Sequence, residues 1–205
     1  MVETLSIAVI GAPGVGKTSI IRQFIYNDFS EVHTPTRTRS VYRPSVILNG
    51  NMYELKRHAT WVVGPLDATG GECSEWLDLR CRGVRNANAY ILVYDICCVE
   101  SFEYVKMIRQ QIVEHRYSSS SEVPILVVGN KRDLQRQRFM PRRAVSVLVK
   151  KTWKCGYVEC SAKFNWHVVL LFKELLGIAV ARGMRQNHTS IRLQGALQRN
   201  RCTIM

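Results

Sequence analysis

The chain has 205 residues, and its 29 Lys and Arg residues exceed its 16 Asp and Glu residues, which gives a formal net charge of +13. This length fits one domain and leaves little room for a second. Hydrophobic residues make up 46% of the chain and charged residues 22%, a balance that is typical of a globular protein and too apolar for disorder. The longest apolar runs, at 89–94 and 125–128, are far shorter than the roughly 20 residues of a membrane span, so an integral membrane protein is excluded.

The N-terminus and the cysteines predict a reducing compartment. Residues 1–4 contain no basic region followed by an apolar one, so we expect no secretory signal, and Val2 stands where myristoylation requires glycine. The seven cysteines are odd in number, and no two of them have the C-x-x-C spacing of a zinc or redox site. We therefore expect most of them to be small buried residues, with Cys202 as the exception.

The spacing of apolar residues predicts strands that alternate with helices, which is typical of an α/β fold with a mostly parallel sheet. One hairpin is predicted from Asn49-Gly50, because this pair accepts the positive φ of a tight turn. In chain order, the predicted elements are a strand at 5–10, a helix at 17–25, the hairpin at 41–48 and 52–55, a strand at 89–94, a helix at 101–115, a strand at 124–128, a helix at 141–152, a strand at 156–159 and a helix at 167–181.

Two stretches do not fit this alternation. Residues 56–85 contain Gly64-Pro65 and Gly70-Gly71, show little periodicity and exceed the length of an ordinary connection. Residues 180–205 have too few apolar side chains to join a core, and from Arg182 onwards they carry five arginines and no acid. We therefore divide the chain into a domain at 1–180 and a basic flexible tail at 181–205.

A glycine-rich motif follows the first predicted strand and opens the first predicted helix. It matches G-x-x-x-x-G-K-[ST], whose glycines let successive backbone N–H groups face one concavity and hold phosphate oxygens. The helix adds its positive N-terminal end, Lys17 reaches the β- and γ-phosphates, and the Thr18 hydroxyl holds Mg²⁺. A chance glycine-rich turn is the alternative, but the strand–loop–helix context favours nucleotide binding. The motif and the residue after it are Gly11, Ala12, Pro13, Gly14, Val15, Gly16, Lys17, Thr18 and Ser19.

Two further motifs indicate which base is bound. Asn130-Lys131-Arg132-Asp133 directly follows one predicted strand and Ser161-Ala162-Lys163 directly follows another. Both loops therefore leave the carboxyl ends of parallel strands, the edge at which such sheets bind ligands. The Asp133 carboxylate can accept two hydrogen bonds from N1–H and the 2-amino group of guanine, a pair of donors that adenine lacks. For the first motif alone, a plain turn or helix cap is the alternative.

With these motifs in this order, the chain resembles the Ras-like small GTPases from Leu5 to its C-terminus, and it is most similar to the atypical Ras-like protein family member ten group. This resemblance implies a P-loop NTPase G domain with a six-stranded, mostly parallel sheet and about five helices, which binds GTP and GDP with Mg²⁺. The segments that carry the narrower similarity are Tyr94-Asp95-Ile96-Cys97, Gly129 to Leu134, Cys155 to Lys163 and Gln194-Gly195-Ala196-Leu197.

The resemblance also implies roles for single residues. Lys17 and Thr36 would serve the reaction, with Thr36 as the switch I threonine that meets Mg²⁺ and the γ-phosphate. Phe29 would pack on the nucleotide. The residues implied to hold or support the base are Asn130, Lys131, Asp133, Ser161, Ala162 and Lys163.

The chain departs from the family pattern in its switch regions. Basic residues surround Thr36, so we do not expect the standard Ras effectors, which recognise an acidic loop, to bind it. Counting on from the hairpin without gaps puts Ala59 and Val63 at the Asp and Gln of Asp-x-x-Gly-Gln. A second register begins at Asp67, which restores a metal ligand but supplies no glutamine to orient water, and a chance match in an irregular loop is the alternative. Pro13 also removes one backbone donor near the γ-phosphate, so we expect nucleotide binding with slow intrinsic hydrolysis.

The last four residues, Cys202-Thr203-Ile204-Met205, form a C-a-a-X sequence whose terminal Met predicts farnesylation of Cys202. One lipid chain anchors weakly, and the tail arginines can supply the second signal to anionic lipid. An unmodified cysteine is the alternative. We expect the protein at the cytoplasmic face of membranes, with the plasma membrane as the leading candidate. The basic character of the chain is also compatible with a nuclear or nucleolar pool.

The leading hypothesis is therefore a membrane-attached GTPase that switches between GTP and GDP and binds effectors and regulators that the sequence does not identify. The alternative is a pseudo-GTPase, an interaction module that binds guanine nucleotide without a hydrolysis timer. Specific nucleic-acid binding comes last because no basic motif is interleaved with aromatic residues. The cluster of Arg136, Arg138, Arg142 and Arg143 is expected to be a solvated face, with nucleic acid or import machinery as a second interpretation.

Overall fold

The protein forms a sheet with helices on both faces, so the predicted α/β class with a mostly parallel sheet is confirmed. Within the part of the chain that is described, no helix is long and apolar enough to cross a membrane. The computed structural model describes residues 3–32, 40–42, 45–48, 51–62, 87–117 and 123–186.

The described strands are β1 (Glu3–Gly11), β2 (Ser40–Tyr42), β3 (Ser45–Leu48), β4 (Asn51–Val62), β5 (Ala89–Asp95), β6 (Ile125–Asn130) and β7 (Gly156–Glu159). Their order in the sheet is β2-β4-β1-β5-β6-β7, and β3 also pairs with β4. Only β2 and β3 are antiparallel to their neighbour, and the two follow one unbroken register along β4. Seven strands are therefore described where six were predicted, because one edge of the sheet is formed by two segments.

Strand β4 is longer than predicted. The hairpin is confirmed by the antiparallel pairing of β3 with β4, but β4 continues to Val62, so 56–62 is regular strand. The reason is its parallel partner, since all of β1 pairs with Tyr53–Val62 of β4, with one irregularity after Ala59, and satisfies backbone groups whatever the side-chain periodicity. The rest of the predicted irregular stretch, from Val63 to Arg85, lies outside the described residues.

The described helices are α1 (Lys17–Tyr26), α2 (Val99–Tyr117), α3 (Arg142–Val147) and α4 (Val168–Gln186), together with a 3₁₀ helix at Arg132–Gln137 and a π-helical turn at Leu148–Thr152. Each of the four predicted helices is present, but α4 continues five residues past its predicted end. The 3₁₀ helix was not predicted. It directly follows β6, and so it contains the aspartate of the first base motif.

The predicted helix at 141–152 is α-helical only in its first half. The π-helical turn follows α3, and at its end the Trp153 N–H donates to the Leu148 carbonyl oxygen over 3.0 Å. This wider turn accompanies the stacking of Trp153 on Phe102, whose ring centroids lie 5.8 Å apart. The departure from α-helix therefore coincides with a tertiary contact of Trp153, which the apolar spacing of the segment does not reveal.

The core consists of two layers, one on each face of the sheet, because alternate residues of a strand point to opposite faces. Ile91 and Val93 of β5 face the layer of α1 and α4, where Phe24 and Phe172 stack with centroids 4.0 Å apart. Tyr94 faces the layer of α2 and α3. Burial on both faces explains why β5 is almost entirely apolar, and each large side chain contributes about 1.5–3 kcal/mol to stability.

Candidate nucleotide-binding site

The predicted phosphate loop joins the end of β1 to the start of α1 and depends on glycine at three positions. Gly14 and Gly16 have positive φ angles of 75° and 94°, which side chains rarely adopt. A Cβ on Gly16 would overlap the Asn130 amide, and a Cβ on Gly11 would overlap the carbonyl oxygen of Val93. The loop is therefore packed tightly against β5 and β6.

The other loop residues take distinct positions around this turn. Pro13 and Gly14 are exposed at the tip, Val15 is buried in the layer of α1 and α4, and Ala12 is half-buried. Thr18 and Ser19 are half-buried in the first turn of α1.

Lys17 folds back over the loop that precedes it. Its Nζ donates to the carbonyl oxygens of Gly11 at 2.7 Å and Ala12 at 2.8 Å, and the residue is buried. Burial lowers the pKa of Lys17 to about 8, because desolvation disfavours the charged form. An anionic phosphate in the loop would offset that penalty, so the arrangement suits a phosphate ligand.

This lowered pKa predicts that nucleotide binding takes up a proton at alkaline pH. Because burial penalises the charged amine, the folded-state pKa lies below the pKa of about 10.4 in the unfolded chain. The free energy of unfolding should therefore rise with pH between these two values. A bound phosphate favours the protonated amine, so GDP affinity should fall by up to about tenfold per pH unit above pH 8. Calorimetry at pH 8.5 in two buffers of different ionisation enthalpy should record the uptake, and at pH 7 it should vanish. Lys150→Met, at an exposed lysine, is the control and should take up the same number of protons as the wild type. No proton uptake by the wild type at pH 8.5 would contradict the prediction.

Asn130, at the end of β6, connects the phosphate loop to the second base motif. Its Nδ2 donates to the Val15 carbonyl oxygen at 2.9 Å, and its Oδ1 accepts from the Ala162 N–H at 3.2 Å. The residue is buried, and the Cys160 thiol also donates to Oδ1 at 3.5 Å. Its amide therefore braces the two loops on either side of it.

The other members of the base motifs meet at the same edge of the sheet. Asp133 is exposed, and its Oδ1 accepts from the buried Ser161 hydroxyl at 2.6 Å. Lys131 has a positive φ of 64°, and its ammonium pairs with Asp95 at 2.7 Å. The structure thus brings both predicted base motifs together, with a carboxylate exposed to solvent between them.

The loop after β7 is also tied to the end of α1. Lys163 pairs with Glu31 at 2.8 Å, a hydrogen bond that lowers the pKa of Glu31 and raises the pKa of Lys163. Gln23 donates from Nε2 to the Ala162 carbonyl oxygen at 2.9 Å. Phe29 lies between these contacts in sequence and packs, half-buried, against the layer of α1 and α4.

No predicted site role was given to Gln23, Glu31 or Asp95, although each contacts a predicted base residue. They lie far from their partners in sequence, and only Asp95 belongs to a segment that carries the family resemblance. Their contacts are identified by the spatial arrangement, and the resemblance of the segment around Asp95 is the only sequence signal that pointed to any of them.

Of the residues predicted to hold Mg²⁺, Thr18 is placed at the start of α1, while Thr36 and Asp67 lie outside the described residues, as do Val63 and Cys202. Among the residues that are described, no group of three or more His, Cys, Asp or Glu side chains could hold a metal ion. Mg²⁺ prefers oxygen ligands and is usually held by one or two protein groups together with substrate phosphates. A hydroxyl in the first turn after a phosphate loop fits that pattern.

Comparisons with known proteins agree with this geometry. A sequence model of the Ras family matches residues 6–180. Human Ras-like protein family member 10B is 56% identical over 206 aligned residues, which cover 100% of both chains. Human Ras-like protein family member 10A is 52% identical over 202 residues, 98% of both chains. The GTP-binding protein Di-Ras2 of Macaca fascicularis is 34% identical over 176 residues, 86% of this chain and 82% of that protein.

Proposed function

Because this chain belongs to the Ras family of small GTPases, as its motifs predicted, we propose that it is a switch that binds GTP and GDP at a membrane surface. The observation that carries the proposal is the brace formed by Asn130, which joins Val15 of the phosphate loop to Ala162 of the base loop. One ligand with phosphates at one end and a base at the other fits this pairing of loops.

The chemistry of each end selects guanine nucleotides. Backbone N–H groups of the phosphate loop and the Lys17 ammonium hold the phosphates, and Thr18 is the described candidate for Mg²⁺, which neutralises charge between the β- and γ-phosphates when bound. Asp133 accepts from the guanine edge while Ser161 keeps its carboxylate in place. The direct test is binding of GDP, GTP, ADP and ATP to the purified protein. Equal affinity for adenine and guanine nucleotides would overturn the proposal.

We expect the hydrolysis step to be slow. Pro13 lacks the backbone N–H that another residue would offer to the γ-phosphate, and neither register of 56–85 supplies a glutamine. The single-turnover rate should lie below the ~4 × 10⁻⁴ s⁻¹ of intrinsic Ras hydrolysis, and Pro13→Gly should raise it a few-fold. A wild-type rate at or above that value would contradict the expectation, and Pro141→Gly, at an exposed proline, is the matched control.

The second candidate function is a pseudo-GTPase that acts by interaction alone. The observation that favours it is the position of Ala59, the residue that the gap-free register aligns with the metal-orienting aspartate. Ala59 pairs with Val9 within β4, three residues before that strand ends. In the gap-free register the metal-orienting aspartate is therefore absent from that strand. If no GTP is hydrolysed over hours while guanine nucleotides bind tightly, this second function is the correct one.

Membrane attachment is the remaining part of the proposal, and it depends on Cys202 and the basic tail. Farnesyl on this cysteine gives weak binding, and each tail arginine near an anionic surface adds about 1 kcal/mol. Cys202→Ser should move the protein from the membrane fraction to the soluble fraction of cells, whereas Cys98→Ser should not. Retention of Cys202→Ser on membranes in 0.5 M salt would contradict this prediction.

A further inference from the structure

A buried carboxylate lies next to the two loops that carry the base motifs, Asn130–Asp133 and Ser161–Lys163, and it is not among the residues predicted to hold the base. Glu159 ends β7, and its side chain is completely buried. Arg138 binds it with both terminal nitrogens, Nη1 to Oε1 and Nη2 to Oε2, each at 3.0 Å. Burial by itself would raise the pKa of Glu159, but hydrogen bonds from Arg138 and Tyr157 outweigh it and hold the pKa below its usual value.

This contact corrects the expectation that Arg138 belongs to a solvated basic face. Its side chain is 18% exposed, and its guanidinium points inward. Arg142, although more exposed, has Nε 3.7 Å from the same carboxylate. Of the four clustered arginines, Arg136 and Arg143 are exposed and have no such contact to Glu159.

A chain of hydroxyl groups extends the network to β5. The Tyr157 hydroxyl donates to Glu159 Oε1 at 2.8 Å, and it lies 2.9 Å from the Tyr94 hydroxyl. Since Tyr157 has a single proton and gives it to the carboxylate, Tyr94 must donate to Tyr157. A Cβ on Gly129 would approach the Tyr94 hydroxyl at 2.8 Å, so glycine at that position leaves room for the chain.

The two loops that carry the base motifs are connected at two places, and the Arg138–Glu159 pair is one of these connections. Arg138 is the extended residue that directly follows the 3₁₀ helix containing Asp133, and Glu159 immediately precedes the loop that contains Ser161. At the other end, Asp133 and Ser161 are joined directly, and the Arg132 N–H donates to the Cys160 carbonyl oxygen at 3.1 Å. The carboxylate of Asp133 is thus located by contacts on both sides.

We propose that Arg138 and Glu159 are positioning residues for guanine recognition, whose two parallel hydrogen bonds orient the 3₁₀ helix so that Asp133 meets the base edge. This inference rests on the proposed binding of guanine nucleotides. Two parallel N–H···O bonds fix an angle as well as a distance, which apolar packing does not do. A buried ion pair adds little net stability compared with apolar side chains of similar volume, so its geometry is the property that a replacement would lose.

The test compares stability with base discrimination in matched variants. Arg138→Met removes both parallel hydrogen bonds and leaves the buried carboxylate with only the Tyr157 hydroxyl and the more distant Arg142, so it should lower Tm by about 10 °C. The double variant Arg138→Met with Glu159→Leu removes both charges and should recover most of that loss. Affinities are measured for GDP and for inosine diphosphate, which lacks the 2-amino group and so one of the two donors to Asp133.

The wild type should prefer GDP over inosine diphosphate by at least about tenfold. In the double variant this ratio should fall by at least about threefold and GDP should dissociate faster, although Tm is restored. Arg143→Met, which removes an exposed arginine from the neighbouring helix, should keep the wild-type Tm and ratio. A double variant with restored Tm and an unchanged ratio would overturn the proposal and leave the pair a purely structural role.

If the double variant does not fold, Arg138→Lys decides the question. Lysine keeps the charge beside Glu159 but cannot form the two parallel bonds. It should fold and lower the ratio, and a wild-type ratio in this variant would refute the proposal. A wild type that binds GDP no better than ADP would instead refute the proposed function, so the two failures are distinguishable.

Discussion

Asp133→Asn is expected to lower the affinity for GDP by at least about 100-fold and to shift the preference to xanthosine diphosphate. In the proposed complex the carboxylate accepts two hydrogen bonds from guanine, and hydrogen bonds to a charged group contribute about 1.5–3 kcal/mol each. The asparagine amide would face the guanine 2-amino group with a donor, whereas xanthine presents a carbonyl oxygen there. Asp133 is exposed, so the fold should tolerate the change.

The measurement is equilibrium binding of both nucleotides to both proteins. Binding of xanthosine diphosphate by the variant serves as an internal control for folding, because a damaged site would bind neither nucleotide. Glu103→Gln, an exposed acidic residue of α2, is the matched control and should bind like the wild type. Unchanged GDP affinity in Asp133→Asn would show that this carboxylate does not read the base.

Asn130→Ala should have the second large effect, because it disconnects both loops at once. The change leaves the Val15 carbonyl and the Ala162 N–H without their side-chain partner in a buried setting. Each unpaired group costs about 1–3 kcal/mol, so the free energy of unfolding should fall by about 3 kcal/mol. GDP should dissociate about 100-fold faster, since the phosphate and base loops then move independently.

Asn130→Asp separates the two contacts. Aspartate keeps the acceptor for the Ala162 N–H but loses the donor to the Val15 carbonyl and places a negative charge beside it. Chemical denaturation should therefore show this variant to be at least as destabilised as Asn130→Ala, because the buried charge faces a carbonyl oxygen, and GDP release should still be faster than in the wild type. GDP release at the wild-type rate in both variants would contradict the bracing role of this amide.

The net charge of +13 divides into groups with different physical settings. Lys17 is buried over the phosphate loop, Lys131 pairs with Asp95, and Arg138 neutralises a buried carboxylate. These charges are committed to contacts within the fold, so they do not contribute to a uniform basic surface. The five arginines of the tail form a separate group, for which we propose an anionic membrane as the partner.

Sequence alone determined the class of the protein and predicted which loops form its candidate nucleotide-binding site. The phosphate loop and the two base motifs are short contiguous segments whose backbone chemistry follows from residue type and spacing, as at Gly16 and Lys17. Alternation of apolar strands with amphipathic helices was sufficient for the α/β class. The same periodicity did not predict the end of β4, because the extent of this strand depends on its pairing with β1.

Only the tertiary structure decided how these loops are held together. Asn130 lies more than 30 residues from Ala162 and more than 100 from Val15, and Glu159 lies 21 residues from Arg138. No periodicity links such pairs, and Arg138 resembled an ordinary surface charge until its partner was known. A contact between distant residues depends on which strands become neighbours in the sheet, and that is settled by the packing of the whole chain rather than by local sequence.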